Sequence, residues 1–378
     1  MTSPSPAAVD WTAAAQIARR VARPGPVASR DQLDDLVAGL RTAADDAVDH
    51  VLGVTRMTPA GSPAGPGRGR DAAGRFARLR PPERPDLGDV RVVDRATWAQ
   101  ANTRSMARLT EPVLGAVGDG GRLPESAAAR LAGAAEVGGL LALLSSKVLG
   151  QFDPYTPGRP VLMLVAPNVL AAEQAMRLDG PDFRLWVCLH EQTHAVQFAT
   201  APWLAEHLAG RLGALLQDVA TTSVGLSRAP VREKVALLGR TVVDAVRGDL
   251  TTPLDQVFGP AQKRELAQIT AVMALLEGHA DVMMDAVGRR VVPTVRTIRA
   301  RFERRRDGAG APRLDVVLRR LLGMDAKLAQ YRDGAAFVRA VETSVGRDGL
   351  NAVWAAPEHL PSDREIADPR AWVRRVHG

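Results

Sequence analysis

Two histidines and a glutamate in the segment LHEQTHAVQF, residues 189–198, have the types and spacing of a zinc site. If the segment is helical, His190 and His194 lie one turn apart on one face, and both imidazoles can reach one ion at about 2.0–2.1 Å. Glu191 then stands to one side of that face, where its carboxylate can take a proton from a bound water. The HExxH pattern therefore predicts zinc-dependent hydrolysis with Glu191 as general base.

The surroundings of the motif favour a zinc site over the alternative, a pair of core histidines held by hydrogen bonds. Residues 183–199 contain neither proline nor glycine, which predicts a helix with Asp182 as its N-cap. No charged residue other than Glu191 occurs between positions 185 and 199, and Cys188 is expected in the core. Polar groups buried in so apolar a segment need a metal or a partner.

A second segment, ALLEGHADVMMDAVG at 274–288, offers the third ligand that a catalytic zinc needs. Glu277 and Asp281 are four residues apart, so a helix puts them on one face. We predict that Glu277 is the ligand and that Asp281 hydrogen-bonds the outer nitrogen of a zinc-bound histidine, fixing its tautomer. His279 is the rival ligand, although it points about 160° away from the face of Glu277.

An oxyanion formed at such a site needs a hydrogen-bond donor besides the metal. The chain has 2 tyrosines, Tyr155 and Tyr331, and either could serve if the fold brings it near. His279 and Arg159 are the other options. For all four residues, the alternative is an ordinary place in the core or on the surface.

The helices that carry these residues belong to a chain with few strands, which predicts a mainly α fold with a small β-sheet (α+β). RPVLMLVAPNV, at 159–169, predicts a strand, because its short apolar run is bounded by turn residues. Its central part, 160–166, is a candidate edge strand that could pair with an extended peptide. A shorter strand is predicted at 89–95. Helices are predicted over 10–22, 30–52, 96–149 with a break near 118–126, 170–177, 203–222, 229–247, 260–287, 293–306, 312–331 and 333–346.

A stretch rich in glycine and proline, residues 58–75, interrupts the pattern near the N-terminus. Such a composition does not pack, so we predict a flexible insertion there. This divides the chain into an N-terminal helical element at 1–57, a Gly/Pro/Arg-rich insertion at 58–88 and a catalytic domain at 89–378.

The formal net charge of +7 comes almost wholly from arginine, and it is most concentrated in RRVVPTVRTIRARFERRR at 289–306. A helix there could contact phosphates, so polyanion binding is an alternative function. A solvated surface is favoured, and nucleic acid is not the expected partner. One cysteine excludes an intramolecular disulfide and suits a reducing compartment. With neither a secretory signal nor an 18-residue apolar run, we expect a cytoplasmic protein without a membrane span.

The motifs together resemble a known family. HEQTH followed by EGHAD is similar to the glutamate-ligand zincins, in which HExxH is followed by ExxxD on a second helix. The longer resemblance is to the zincin-like zinc hydrolases of high-GC bacteria that are associated with coenzyme (deazaflavin) biosynthesis. It is carried by VDWTAAAQIARRVARPGP, VLGQFDPYTPGR, LMLVAPNV, FRLWVCLHEQTHAVQF, APWL, LLEGHADVMMD and WAAPEHLPSDREIADPRAWVRRV.

The resemblance implies a zincin-like metallopeptidase fold, with the HExxH helix under a small sheet and a mostly helical lower half. It implies zinc held by His190, His194 and Glu277, with Glu191 as base, but it implies no substrate beyond a peptide or small amide. Glu277 follows His194 by 83 residues, farther than in zincins with a short spacer. A zincin-like binding or scaffold protein without catalytic activity is the alternative.

Overall fold

The computed structural model describes residues 9–62, 84–120, 126–224, 259–306 and 324–378. Within these ranges the chain is mainly helical with one small sheet, as the sequence predicts. Most of the predicted insertion, the predicted helix at 229–247 and most of that at 312–331 lie outside the described residues. The helices are α1 (Trp11–Val21), α2 (Arg30–Thr55), α3 (Arg95–Gly120), α4 (Ala127–Leu144), α5 (Ala166–Met176), α6 (Gly180–Thr200), α7 (Trp203–Val224), α8 (Pro260–Val287), α9 (Val295–Arg306), α10 (Met324–Leu350), α11 (Asp363–Ala367) and α12 (Pro369–His377).

The sheet has three strands: β1 (Asp89–Val93), β2 (Gly150–Asp153) and β3 (Val161–Val165). β3 pairs in parallel with β1 and antiparallel with β2, so the order is β1-β3-β2. The prediction of an edge strand at 160–166 is therefore wrong. β3 is the central strand and is buried along its whole length, because its five apolar residues meet helices on both faces. β2, which the sequence did not reveal as a strand, is an edge of the sheet in the described part of the chain.

Side chains of β3 alternate between two cores. Leu162 and Leu164 enter the larger core, which α2, α6, α8 and α10 complete. The other three residues of the strand enter a smaller core shared with α1, α3 and α4: Val161, Met163 and Val165. The sheet is thus a middle layer between two layers of helices.

α2 brings the N-terminal part of the chain into the larger core. It begins at a capping box formed by Ser29 and Gln32, and its C-cap is Arg56 in the left-handed conformation. Its buried face packs against α6, where the side-chain amide of Gln192 donates a 3.0 Å hydrogen bond to the carbonyl of Ala44. The helix predicted within the 1–57 element therefore shares its core with the motif-bearing helix.

α6 begins at Gly180, earlier than predicted, because its N-cap is Asp179 and not Asp182. The Asp179 carboxylate accepts a 3.0 Å hydrogen bond from the backbone N–H of Asp182. The Asp182 carboxylate instead accepts hydrogen bonds from the backbone N–H and the hydroxyl of Thr294, at 2.8 and 2.6 Å. This contact ties the first turn of α6 to the residues just before α9.

α8 and α10 cross at two glycines. A Cβ atom on Gly278 would collide with the backbone of Gly334, and one on Gly334 would collide with the carbonyl group of Ala274. Glycine within a helix costs about 0.5–1 kcal/mol relative to alanine, and here it permits direct backbone contact. Since Gly278 follows Glu277, this crossing holds the third predicted ligand in place.

α4 differs from the expectation that no segment is apolar enough to span a membrane. Its 18 residues, Ala127–Leu144, have a mean hydropathy of 1.5, although they include Arg130 and Glu136. One such helix is weak evidence for a span, because core helices pass the same test. α4 packs closely on α1, where a Cβ on Gly138 would lie 2.6 Å from the carbonyl oxygen of Ala14.

The C-terminal segment, after α10, contributes two tryptophans to the larger core. Trp354, at the end of a 3₁₀ turn after α10, and Trp372 of α12 are both fully buried. The Trp203 indole donates to the carbonyl of Trp354 at 3.3 Å, and the Trp372 indole donates to that of His359 at 2.7 Å. Trp203, at the start of α7, is therefore a packing residue, as expected.

Candidate metal centre

α6 and α8 bring the three predicted ligands together. The Nε2 atoms of His190 and His194 are 3.2 Å apart, and Oε2 of Glu277 lies 3.3 and 3.7 Å from them. Ligand atoms at about 2.0–2.1 Å from a tetrahedral zinc are about 3.3–3.4 Å from one another. The three donor atoms therefore already have the mutual distances of a zinc site, and they form a cluster able to hold a metal ion.

The chemistry of this donor set also fits zinc. Apart from the two imidazoles, no donor among the described residues reaches the buried Oε2 of Glu277. An anionic oxygen and two imidazole nitrogens converge on one point. This arrangement fits the coordination of a divalent cation better than it fits hydrogen bonds among the three groups. The side chains of His190, His194 and Glu277 are 25%, 13% and 18% exposed, so the cluster borders solvent. Three protein ligands and an open fourth position are the arrangement of a catalytic zinc.

Gln197 fixes the orientation of His194. Its Oε1 lies 2.9 Å from Nδ1 of His194, and its amide nitrogen lies 3.0 Å from both the carbonyl of Leu276 and Nδ1 of His279. Because Oε1 can only accept, Nδ1 of His194 carries the proton and Nε2 presents its lone pair to the metal position. Gln197 thus has the tautomer-fixing role that the sequence analysis assigned to Asp281.

Asp281 lies one turn from Glu277 on α8, and its carboxylate contacts arginine. Oδ1 accepts a 2.7 Å hydrogen bond from Arg299 of α9, and Oδ2 is 3.9 Å from Arg339 of α10. At His194, the ring nitrogen that was predicted to contact Asp281 instead contacts Gln197. The reason is that α9, 18 residues on, supplies a charged partner that helical spacing does not reveal.

Glu191 is buried beside the ligands and under the edge strand. Burial raises the pKa of its carboxyl group, the two histidines oppose this shift, and the nearby Glu277 adds to it. A Cβ atom on Gly150 of β2 would lie 2.6, 2.7 and 2.9 Å from Cγ, Cδ and Oε1 of Glu191. The missing side chain at Gly150 therefore makes the space in which this carboxylate sits. A carboxyl group with a raised pKa is suited to accept and return a proton near neutral pH.

Opposite charges couple His194 to Glu277. Burial alone would lower the pKa of His194, but the Glu277 carboxylate outweighs it and raises the pKa to about 9. In return, the two histidines hold the pKa of Glu277 well below its usual value, although burial acts the other way. Glu277 is therefore an anion throughout the physiological range, as a metal ligand must be.

His279 is part of the core and is not a ligand. It is fully buried, its Nδ1 faces Gln197, and its ring lies edge-on to Trp354 at 5.3 Å between centroids. Burial, with Arg347 and His194 nearby, lowers its pKa to about 3, so it is neutral. Because Gln197 stands between His279 and His194, His279 also has no path to a substrate oxyanion at the metal position.

Of the other three proposed oxyanion donors, Tyr155 and Arg159 are not brought to the ligands. Tyr155 lines a separate cavity, whose walls include none of the four motif residues. Arg159 contacts Asp86 and is 3.3 Å from Asp89, at the start of β1. Tyr331 belongs to the first part of α10, whose side chains lie outside the described residues.

Two residues that position the site escaped the sequence analysis. Gly150 carried no signal, since its role depends on a strand and a helix that meet only in the fold. Gln197 did carry one: it follows His194 by three residues, so a helix puts both on one face. The remaining assignments near the motif agree with the structure. Cys188 is buried and its pKa is raised by burial, and Trp186 packs on Phe183.

The arginine-rich helix α9 is partly committed to internal contacts. Arg299 bridges Asp281 and Asp285, with the Asp285 contact at 2.6 Å. Arg301 donates to the carbonyls of Met176 and Arg177, at 2.7 and 2.5 Å, which lie at the end of α5. These arginines complete the fold, which weakens the interpretation of 289–306 as a polyanion-binding surface.

Comparison with known proteins places the chain in a family. The sequence model of the zincin-like metallopeptidases matches residues 9–373, so the chain belongs to that family. A solved structure from Chloroflexus aurantiacus, that of a presumed hydrolase with a novel fold, is 26% identical, with a TM-score of 0.59. The match covers 97% of this chain and 98% of that one. No curated protein matches the sequence. The association with deazaflavin biosynthesis stays a prediction.

Proposed function

We propose that the protein is a zinc-dependent peptidase that cleaves a peptide or amide bond with water, with Glu191 as general base. The observation that carries this proposal is the convergence of His190, His194 and Glu277 at zinc-like separations, with the buried carboxylate of Glu191 beside them. Membership of the zincin-like metallopeptidases and similarity to a presumed hydrolase support it.

In this mechanism His190, His194 and Glu277 would hold the ion. Bound zinc lowers the pKa of a coordinated water to about 7 and polarises a carbonyl group. The carboxylate of Glu191 takes a proton from the attacking water and later delivers it to the leaving amine. Its raised pKa suits both directions of transfer. Gln197 accepts from Nδ1 of His194 and so would leave the Nε2 lone pair free for the ion.

The edge strand β2 suits the substrate's backbone. Gly150 places the start of β2 against Glu191, and within the described residues β2 pairs only with β3. Its other side can offer backbone N–H and C=O groups to an extended peptide, as sheet edges do in peptide recognition. A peptide paired there would pass the general base.

The first test is the zinc content of the purified protein by mass spectrometry. We expect close to one zinc per chain in the wild type and in His279→Ala, and loss of zinc in Glu277→Ala. His279→Ala is the matched control. It removes a buried polar side chain two residues after Glu277 on the same helix, and this side chain contacts Gln197 instead of the metal position. A folded wild-type protein that takes up no zinc would refute the proposal.

The second test separates catalysis from binding. Zinc-loaded wild type, its chelated form and Glu191→Gln are incubated with a mixture of peptides, and new termini are found by mass spectrometry. We expect cleavage that chelation abolishes, that added zinc restores, and that Glu191→Gln lowers by about 10²–10⁴-fold while keeping zinc. Full zinc occupancy without cleavage of any peptide would favour the scaffold alternative.

A further inference from the structure

A second cavity, of about 720 Å³, lies between α3, the turn that follows β2, and α7. Tyr155 and Leu109 form part of its walls, and Gly210 and Gly213 of α7 form part of its floor. This volume lies within the range of small-molecule and peptide pockets, about 300–1,000 Å³.

The middle of the cavity floor is formed by small residues of α7, with Glu206 and Gln217 at its two ends. Gly210 and Gly213 are one turn apart, and each costs the helix about 0.5–1 kcal/mol relative to alanine. A Cβ atom at either position would meet no described atom within 4 Å, in contrast to Gly278 at the α8–α10 crossing. Within the described structure, close packing against another helix therefore does not explain these glycines. What they provide is open space beside the α7 backbone.

β2 leads from the candidate metal centre to this cavity. The strand starts at Gly150, against Glu191, and ends at Asp153, two residues before Tyr155. Along it, the ring of Phe152 packs on Phe198 near the end of α6, with 5.5 Å between centroids. At about 3.3 Å per residue, Gly150 and Tyr155 are at most about 17 Å apart. A peptide extended along β2 covers that distance in about five residues.

The cavity suits an apolar group with a polar rim. Burial, helped by Asp153, raises the pKa of Tyr155 to about 12, so its phenol stays neutral. The Arg108 guanidinium at the rim already donates to the Tyr155 carbonyl at 2.8 Å. Glu206 is exposed on α7. The remaining space offers an aromatic ring and bare helix backbone, which favour a large flat side chain.

We propose that this cavity binds a bulky apolar side chain, with aromatic ones preferred, of an extended peptide substrate, three to five residues from the cleaved bond. The register relative to that bond rests on the proposed peptidase function; the binding of the side chain does not. The inference narrows the substrate class to peptides long enough to reach from the metal centre to the cavity, and it excludes small amides.

The test uses zinc-loaded Glu191→Gln protein and fluorescein-labelled Ser/Ala decapeptides in which a single Phe is moved through every position. Fluorescence anisotropy gives the Kd of each. We expect Phe at one or two adjacent positions to tighten binding at least about tenfold over the peptide without Phe, in keeping with burial of an aromatic side chain. Gly213→Leu, which fills the floor, should abolish that gain.

Gly139→Leu is the matched control, since Gly139 is also a helix glycine whose Cβ position is open, and it lies on α4 away from the cavity. This variant should keep the full gain. Equal binding of all peptides, or a gain that survives Gly213→Leu, would overturn the proposal. Wild-type protein with zinc should cleave the tight peptides three to five residues from Phe. Tight binding without cleavage would refute the peptidase function but leave the cavity as a binding site.

Discussion

α8 contributes carboxylates to two clusters that are built in opposite ways: Glu277 with two histidines, and Asp281 and Asp285 with Arg299. Glu277, Asp281 and Asp285 follow one another at intervals of four residues, so they share a helix face. Among the described residues, Glu277 faces two histidines, which can give up their protons to a metal ion, and it faces no arginine or lysine. Asp281 and Asp285 both face Arg299, at 2.7 and 2.6 Å. At Glu277 a metal ion can replace the protons of the histidines, whereas the other two carboxylates are paired with an arginine that keeps its proton.

This difference distinguishes a candidate metal-binding carboxylate from two carboxylates in a structural ion pair, although all three have the same spacing along the helix. A buried carboxylate whose partners are titratable imidazoles can exchange their protons for a metal ion, so such a group marks a binding position. A carboxylate paired with arginine needs nothing further and contributes to structure. The five predictions below test this contrast, starting from the change with the largest expected effect.

Replacing Glu277 by alanine should lower zinc affinity by more than about 100-fold, since loss of residues that only support the ligands costs 10–100-fold. Asp281→Asn is the matched change in the paired cluster, and it should leave zinc affinity within a few-fold of wild type. Both are measured by competition with a chromogenic chelator. Equal losses in the two variants would show that the clusters are not distinct.

Gly150→Ala should reduce hydrolysis by about 100-fold and leave zinc bound. The added methyl group occupies the space of the Glu191 carboxylate, and a displacement of about 1 Å can cost that much. Gln151→Ala is the control, because the Gln151 side chain turns to the other face of the sheet, where it donates to Asn102. Activity is followed on any peptide that the wild type cleaves. Unchanged turnover in Gly150→Ala would show that the placement of Glu191 does not depend on Gly150.

Gln197→Ala should weaken zinc binding by about 10–100-fold, because Nδ1 of His194 loses the acceptor that fixes its tautomer. Gln197→Glu keeps the acceptor for Nδ1 of His194 but loses the hydrogen bond to the carbonyl of Leu276. It should therefore bind zinc more tightly than Gln197→Ala without being more stable, which a purely structural role of the side chain would not predict. Zinc titrations of the two folded variants decide between these roles.

Zinc affinity should rise by about tenfold per pH unit between pH 7 and pH 9 and then level off. Because the pKa of His194 is raised to about 9, a proton competes with zinc for this imidazole at lower pH, and raising the pH frees the ligand. The same chelator competition, corrected for protonation of the chelator, gives the slope. An affinity that does not change over this range would contradict the coupling between His194 and Glu277.

Arg299→Met should lower the free energy of unfolding by roughly 1–3 kcal/mol, less than for a fully buried pair because the side chains are partly exposed. Arg299, Asp281 and Asp285 are 21%, 26% and 38% exposed. Arg304→Met, at an exposed position on the same helix, is the control and should have little effect. Denaturant unfolding measures both, and zinc content should stay at wild-type level. Loss of zinc in Arg299→Met would mean that the two clusters depend on each other.

Those parts of the site that repeat at helical spacing could be predicted from the sequence. His190 and His194 are four residues apart in an apolar helical segment, so periodicity alone indicated that they share a face. Glu277 was a candidate because a catalytic zinc needs a third ligand and because it lies in a second apolar helical segment, not because any spacing relates it to the histidines. Partners from distant segments could not be predicted in this way. Arg299 meets Asp281 only because α9 folds back on α8, and helix geometry says nothing about that.

The strands show the same limit. β3 was recognisable from its continuous apolar run, but its place in the sheet was not, because a run buried on both faces does not say how many neighbours it has. β2, with the sequence GQFD, has too little alternation to stand out and is a strand through its pairing with β3. The start of α6 was misplaced because Asp179 and Asp182 are both plausible caps. Only the contact with Thr294 shows that Asp182 is engaged elsewhere.

The distance along the chain between the histidines and Glu277 affects how the molecule can vary. An ion at this site closes a loop of 83 residues, from His194 to Glu277. The entropic cost of closing a flexible loop grows only with the logarithm of its length, by about 0.6 kcal/mol for each doubling. Since the α8–α10 crossing also holds Glu277, the number of residues between α6 and α8 can differ with little cost in loop entropy. Length differences among related proteins should therefore concentrate there.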